Sequence, residues 1–236
     1  MKHLKLSLAA VSVLVNCSVF AQTADEVLTK HIEAIGGTKA WNKVKTIKMT
    51  GSTDAMGQSI DMTTTIINGK SARTDFSIAG QKNYMIVSKT GGWSFLPVMG
   101  QTEPMAIPAE DVKTVADEYD YTGAQVASKA LIASATMDGT DTIDSKPCLK
   151  LKVTDKAGNV KECYFDAATY YLVKSETTVK TPDGEQQMAT SYSNHKKLPE
   201  GIVVPMTVSR AQGDMTIKSF EVNKAVDEKI FAPAKK

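Results

Sequence analysis

Most of this chain reads in steps of two. Ile47 and Met49 alternate with Lys48 and Thr50, and Ile60, Met62, Thr64 and Ile66 alternate with Asp61, Thr63 and Thr65. A period of two puts apolar side chains on one face and polar ones on the other, which is the pattern of half-buried antiparallel strands. The punctuation agrees. Gly57 separates the first two runs, Asn68-Gly69 is a strong hairpin turn signal, and Ala79-Gly80 and Gly91-Gly92 close the next two. Five strands are thus predicted over 44–56, 59–68, 71–78, 82–89 and 92–97. Alternation resumes at 132, with Leu149, Leu151 and Val153 against Lys150 and Lys152, and continues through 215–222. About eleven short strands joined by turns allow little besides a large antiparallel sheet or barrel.

Two stretches break the pattern. Thr23-Ala24-Asp25-Glu26 is a capping box, and Leu28, Ile32 and Ile35 follow on one helical face with Ala24, until Gly36-Gly37 stops the helix. Thr38 to Trp41 reads as a further short turn leading into the first strand. In residues 98–131, Pro104 and Pro108 interrupt pairing, and Val112, Val115, Ala116 and Tyr119 share a helical face. This segment is predicted to hold one or two helices inserted in the middle of the sheet.

The first 21 residues read as a secretory leader: a basic start with Lys2 and Lys5, an apolar run from Leu6 to Val15, and a Val19-Phe20-Ala21 exit. The run is shorter than the ~20 residues that span a bilayer. The expectation is a periplasmic protein beginning near Gln22, with 22–236 as one domain. A second reading is a lipoprotein anchored at Cys17, although bulky Asn16 fits a lipoprotein cleavage box poorly. Without Lys2 and Lys5 the remaining basic residues balance the 26 acidic ones. A neutral chain whose only arginines are Arg73 and Arg210 is poorly equipped for nucleic acid.

Cys148 and Cys163 remain after the leader. An even pair in an oxidising compartment suggests a disulfide. With Val153 opposite Val160, Cys163 would face Lys150 and Cys148 would face Phe165, putting both thiols on one face a diagonal step apart. Such a bond would contribute ~3 kcal/mol on a chain-entropy estimate.

No residue stands out for chemistry. Gly69-Lys70-Ser71 lacks the earlier glycine of a phosphate loop and sits in a hairpin. Asp138, Asp141 and Asp144 are three apart, which in a strand scatters them to opposite faces. His31 and His195 have no ligand spacing, and each is expected at the surface. No nucleophile or base can be named, so no enzyme, metal or cofactor is expected. The ten methionines after Met1, several at strand positions, fit both core filling and an adaptable apolar binding surface.

In order, the leader, helix, five strands, insert and remaining strands resemble the LolA-like outer-membrane lipoprotein-sorting proteins, in a diverged periplasmic form. The carriers are Ala34 to Gly37, Val44 to Gly51, Gly92-Trp93-Ser94-Phe95-Leu96-Pro97, Glu162 to Ala167 with Tyr171 to Lys174, and Phe231-Ala232-Pro233. The resemblance implies an α+β fold: an unclosed antiparallel barrel of about eleven strands, LolA/LolB-like, with helices over its concave face. It implies a cavity for lipid or lipoprotein acyl chains, and 108–131 as part of its cover. A protein-interaction or envelope-stress sensor module, bound to an inner- or outer-membrane envelope protein, is the alternative on the same fold. The strand pattern offers Met62, Ile66, Phe76, Ile78, Met85, Val87, Trp93, Phe95, Leu149, Leu151, Met188 and Met206 as cavity residues. Close members of that family carry an arginine followed by proline near the end of the third strand. Here the stretch is Lys70-Ser71-Ala72-Arg73, and the proline is absent.

Overall fold

The computed structural model describes residues 22–55, 57–88, 90–108, 112, 132–156, 158–181, 184–211 and 213–233. The leader with its cleavage site, Cys17, most of the 108–131 insert and the Pro182-Asp183 turn lie outside them.

Helix α1 (Ala24–Ala34) starts at the expected capping box: Thr23 Oγ1 accepts from Glu26 N at 3.2 Å, and Glu26 Oε2 accepts from Thr23 N at 2.9 Å. Its buried stripe is Ala24, Val27, Leu28 and His31, followed by Ile35. Gly36 ends it at φ 113°, where a side chain would run into Gly201 O. Helix α2 (Gly37–Trp41) follows, with the Trp41 indole donating to Ile35 O at 3.0 Å. Among the described residues no helix is long and apolar enough to cross a membrane.

The strands are β1 (Thr46–Ala55), β2 (Gln58–Ile67), β3 (Ser71–Ile78), β4 (Gln81–Ser88), β5 (Gly91–Phe95), β6 (Met105–Ile107), β7 (Ile132–Ile143), β8 (Lys146–Asp155), β9 (Val160–Asp166), β10 (Leu172–Thr181), β11 (Gly184–Lys197), β12 (Val203–Arg210) and β13 (Gly213–Val222). They form one sheet in the order β6-β5-β4-β3-β2-β1-β13-β12-β11-β10-β9-β8-β7, with every pair antiparallel. Among the described residues the sheet has thirteen strands, where about eleven were expected. One that the sequence hid is β6, three residues held between Pro104 and Pro108 at an edge, where proline is tolerated.

The topology is two meanders, β1–β6 and β7–β13, joined where β1 pairs with β13. Among the described residues the edges of the sheet are β6 and β7, successive strands in the sequence, so 108–131 connects one edge of the sheet to the other.

The β1–β13 seam is irregular and closely packed. The register slips between Thr50 and Gly51, leaving Lys218 as an extra residue on β13. A Cβ on Gly51 would lie 2.4 Å from Thr216 O, and one on Gly213 would lie 2.1 Å from Asp54 O. Bare backbone at both points lets the strands close up and coil.

Candidate ligand-binding face

Followed strand to strand, the register places both apolar clusters on the same face of the sheet. Near the seam, Ile47, Ile66, Ala72, Val87, Val204 and Val222 pack with Ile35 and Trp41. Farther along, Leu151, Val153, Cys163, Phe165 and Leu172 pack with Ala24, Val27 and Leu28 of α1. The helices therefore lie on one face, which we call the inner face.

Ten of the twelve expected residues share that face: Met62 pairs with Phe76, Ile66 with Ala72, Ala72 with Val87, and Ile78 with Gln81. Leu149 pairs with Phe165 and Leu151 with Cys163, while Met188 and Met206 follow by alternation from Thr190 and Val208. Trp93 and Phe95 do not join them. They pair with Ile86 and Tyr84 on the outer face, because Gly92 and Ser94 take the inner positions.

Burial divides the ten further. Ile66, Val87 and Leu151 are almost wholly inaccessible and form the packed floor beneath the helices. Met62, Phe76, Ile78, Met85, Leu149 and Met206 are half-buried, and Met188 is 45% exposed. Met215, half-buried beside Val208, extends this strip, and Met105 lies 54% exposed at the β6 edge. Across the seam Met62 and Ile217 flank Gly51, so the floor between them is backbone. What remains is a strip of partly exposed methionines beside the helices, which we call the trough; such side chains are flexible and polarisable.

The 108–131 connection starts over this face. Val112, 3% exposed, donates its N–H to Pro108 O at 3.0 Å, and its Cγ2 would lie 2.8 Å from a Cβ on inner-facing Gly92.

The outer face of β7–β10 is polar. Lys150 bridges Asp138 and Glu162 at 3.0 Å each, Lys174 pairs with Glu176, and the Tyr164 hydroxyl donates to Glu176 at 2.7 Å. These bonds hold Lys150 firmly charged and push Tyr164 above the usual phenol range, burial being the larger cause for Tyr164. Arg73 is also on the outer face. It bonds Asp75 at 2.6 Å, lies 4.2 Å over the Tyr84 ring and donates to Ile230 O at 2.8 Å, pinning the C-terminal turn Glu228–Phe231 to the sheet. It does not face the trough.

The expected disulfide is absent: Cys148 and Cys163 are free and buried. Val153 pairs with Lys161, not Val160, so Cys148 opposes Asp166 and Cys163 opposes Leu151. A slip of one residue turns one thiol to the outer face and the other to the inner face. Burial raises both thiols, Cys163 to about 12.

His31 is not at the surface. It is 4% exposed, its Nδ1 lies 2.7 Å from Tyr170 O, and its ring meets Phe165 edge-on at 4.9 Å. Burial lowers it from 6.5 to about 4, against the opposing pull of the Tyr170 carbonyl. His195 is half-buried, stacked 4.7 Å from the Tyr171 ring, and burial lowers it too. Among the described residues, no three histidine, cysteine or carboxylate side chains gather to hold a metal ion.

A LolA superfamily protein from Nitrosomonas europaea superposes with a TM-score of 0.56 at 12% identity, over 90% of this chain and 98% of its own. The fold is LolA-like. A domain assigned to an outer-membrane lipoprotein-sorting protein of Vibrio parahaemolyticus gives a TM-score of 0.55 at 10% identity, over 88% of this chain and 95% of its own. No protein-family profile and no curated sequence matches the chain. The LolA-like character resides in the path of the backbone and the covered inner face, which very different side chains can specify.

Proposed function

We propose that this chain is a periplasmic carrier or binder of acyl chains from lipid or lipoprotein, acting through its inner face and not as an enzyme. The observation that carries the reading is the half-buried methionine trough beside a helix-covered core in an unclosed sheet. The leader-like first 21 residues support it, as does the fold shared with a LolA superfamily protein and with a domain named for outer-membrane lipoprotein sorting. Each methylene taken from water contributes ~0.8 kcal/mol, so a long acyl chain offers a gross gain of ~10 kcal/mol before ordering costs. Arg73 is engaged with Asp75 and the C-terminal turn, so the reading rests on apolar contact and assigns it no part in the site.

The test is organic extraction of the purified mature protein followed by mass spectrometry. Co-purifying acyl lipid, displaced by added fatty acid, is the expected result. Protein that arrives empty and takes up no fatty acid overturns the reading.

The cover can be tested separately. Gly92→Cys with Val112→Cys ties the start of 108–131 to the inner face through neighbouring positions. Oxidation of that pair should block lipid loading, and reduction should restore it. Equal loading in both states would remove 108–131 from the entry route.

A further inference from the structure

His31 and His195, the histidines outside the leader, come from α1 and β11 to the turn between β9 and β10. Tyr170, in this turn, is held in the left-handed region at φ 58°. The α1 segment grips it three times: Gln22 Nε2 donates to its hydroxyl at 2.9 Å, Lys30 Nζ donates to the same hydroxyl at 3.1 Å, and His31 Nδ1 meets its carbonyl at 2.7 Å. Beneath this grip lie Leu151, Cys163, Phe165 and Leu172, all buried under α1 and continuous with the inner face.

From this geometry we infer that α1 is docked by an acid-sensitive latch: charging His31 keeps its bond to Tyr170 O but places a cation among buried apolar side chains, and hydrating that cation frees α1 from β8–β10 and bares the apolar floor beneath it.

The surroundings favour that response. The His31 and Phe165 rings meet at 61° with centroids 4.9 Å apart, and the Cys163 thiol lies in the same apolar cluster. The neighbouring ionisable group from β11 is His195, whose charge opposes a charge on His31. Asp166, at the start of the turn, already accepts from Ala168 N, Thr169 N and Thr169 Oγ1, and its charge favours protonation of His195. The Lys30 ammonium lies over the Tyr170 ring, adding positive charge on the helix side. The sign follows: the buried ring is neutral, so the docked helix is fully favoured above pH 6.5 and progressively less so as pH falls toward 4.

The two free cysteines report the latch, one on each face. In a Cys148→Ser variant of the mature protein, Cys163 is the remaining thiol, under α1. Its labelling by 4,4′-dithiodipyridine, referenced to the urea-unfolded chain at each pH, should lose about thirtyfold protection between pH 7.5 and pH 5. In a Cys163→Ser variant, Cys148 on the outer face should keep its protection over the same range. His31→Gln retains a donor toward Tyr170 and cannot charge, and His31→Phe is an apolar alternative; either should flatten the Cys163 response. Unchanged Cys163 protection in acid overturns the latch. So does a parallel loss at Cys148, which means global unfolding, or an acid response that survives removal of His31.

Discussion

Replacing Gly51 with valine is expected to destabilise the protein by about 3 kcal/mol or more, read from urea unfolding. The Cβ alone would lie 2.4 Å from Thr216 O and 3.2 Å from Ile217 Cα, both backbone atoms of the strand across the seam. Neither can rotate aside like a side chain, so β13 must move, and the bulge at Lys218 with it. Gly91→Ala is the matched control. Nothing lies within 4 Å of its Cβ position and its φ is not left-handed, so that change should fall within about 0.5 kcal/mol of neutral. Equal effects at the two sites would mean that close backbone approach at the seam does not set the curl of the sheet.

Charging the trough should remove the ligand without removing the fold. Met62→Glu with Met206→Glu puts two carboxylates on half-buried inner positions either side of the Gly51–Ile217 floor. A bound acyl chain would strip water from both, at several kcal/mol, and fatty-acid affinity should fall on the order of a hundredfold. The side chains are not fully buried, so the thermal transition should move little. Thr136→Glu, exposed on the outer face opposite Lys152, adds charge where no ligand is expected and should leave binding intact. Loss of binding in all variants, or in none, would disconnect the trough from the ligand.

The regular parts of this fold were legible because local chemistry dictates them. Thr23 and Glu26 announce α1, Asn68-Gly69 fixes the β2–β3 hairpin, and threonine alternating with isoleucine marks β2. What failed depended on single-residue register. Trp93 and Phe95 look like cavity residues in a short aromatic strand, yet inner-facing Gly92 and Ser94 assign them outward. The cysteines required β8 and β9 to pair one position differently. His31 was legible in principle: it completes the 24, 27, 28, 31, 35 stripe that is actually buried, whereas a stripe drawn through Ile32 misses it. The trough itself was half legible. Alternation nominates its residues, but only packing separates Ile66 and Leu151, which support the helices, from Met62 and Met206, which remain half open.

The seam also constrains how the chain assembles. Each meander can grow hairpin by hairpin from neighbouring residues, but Ile47 meets Val222 only after the last strand has emerged. Until then two greasy sheets stand with their central edges unpaired, and closing the largest loop in the molecule comes last. Folding should therefore be slow for a protein of this length, and an interrupted chain should be prone to stick to its own copies.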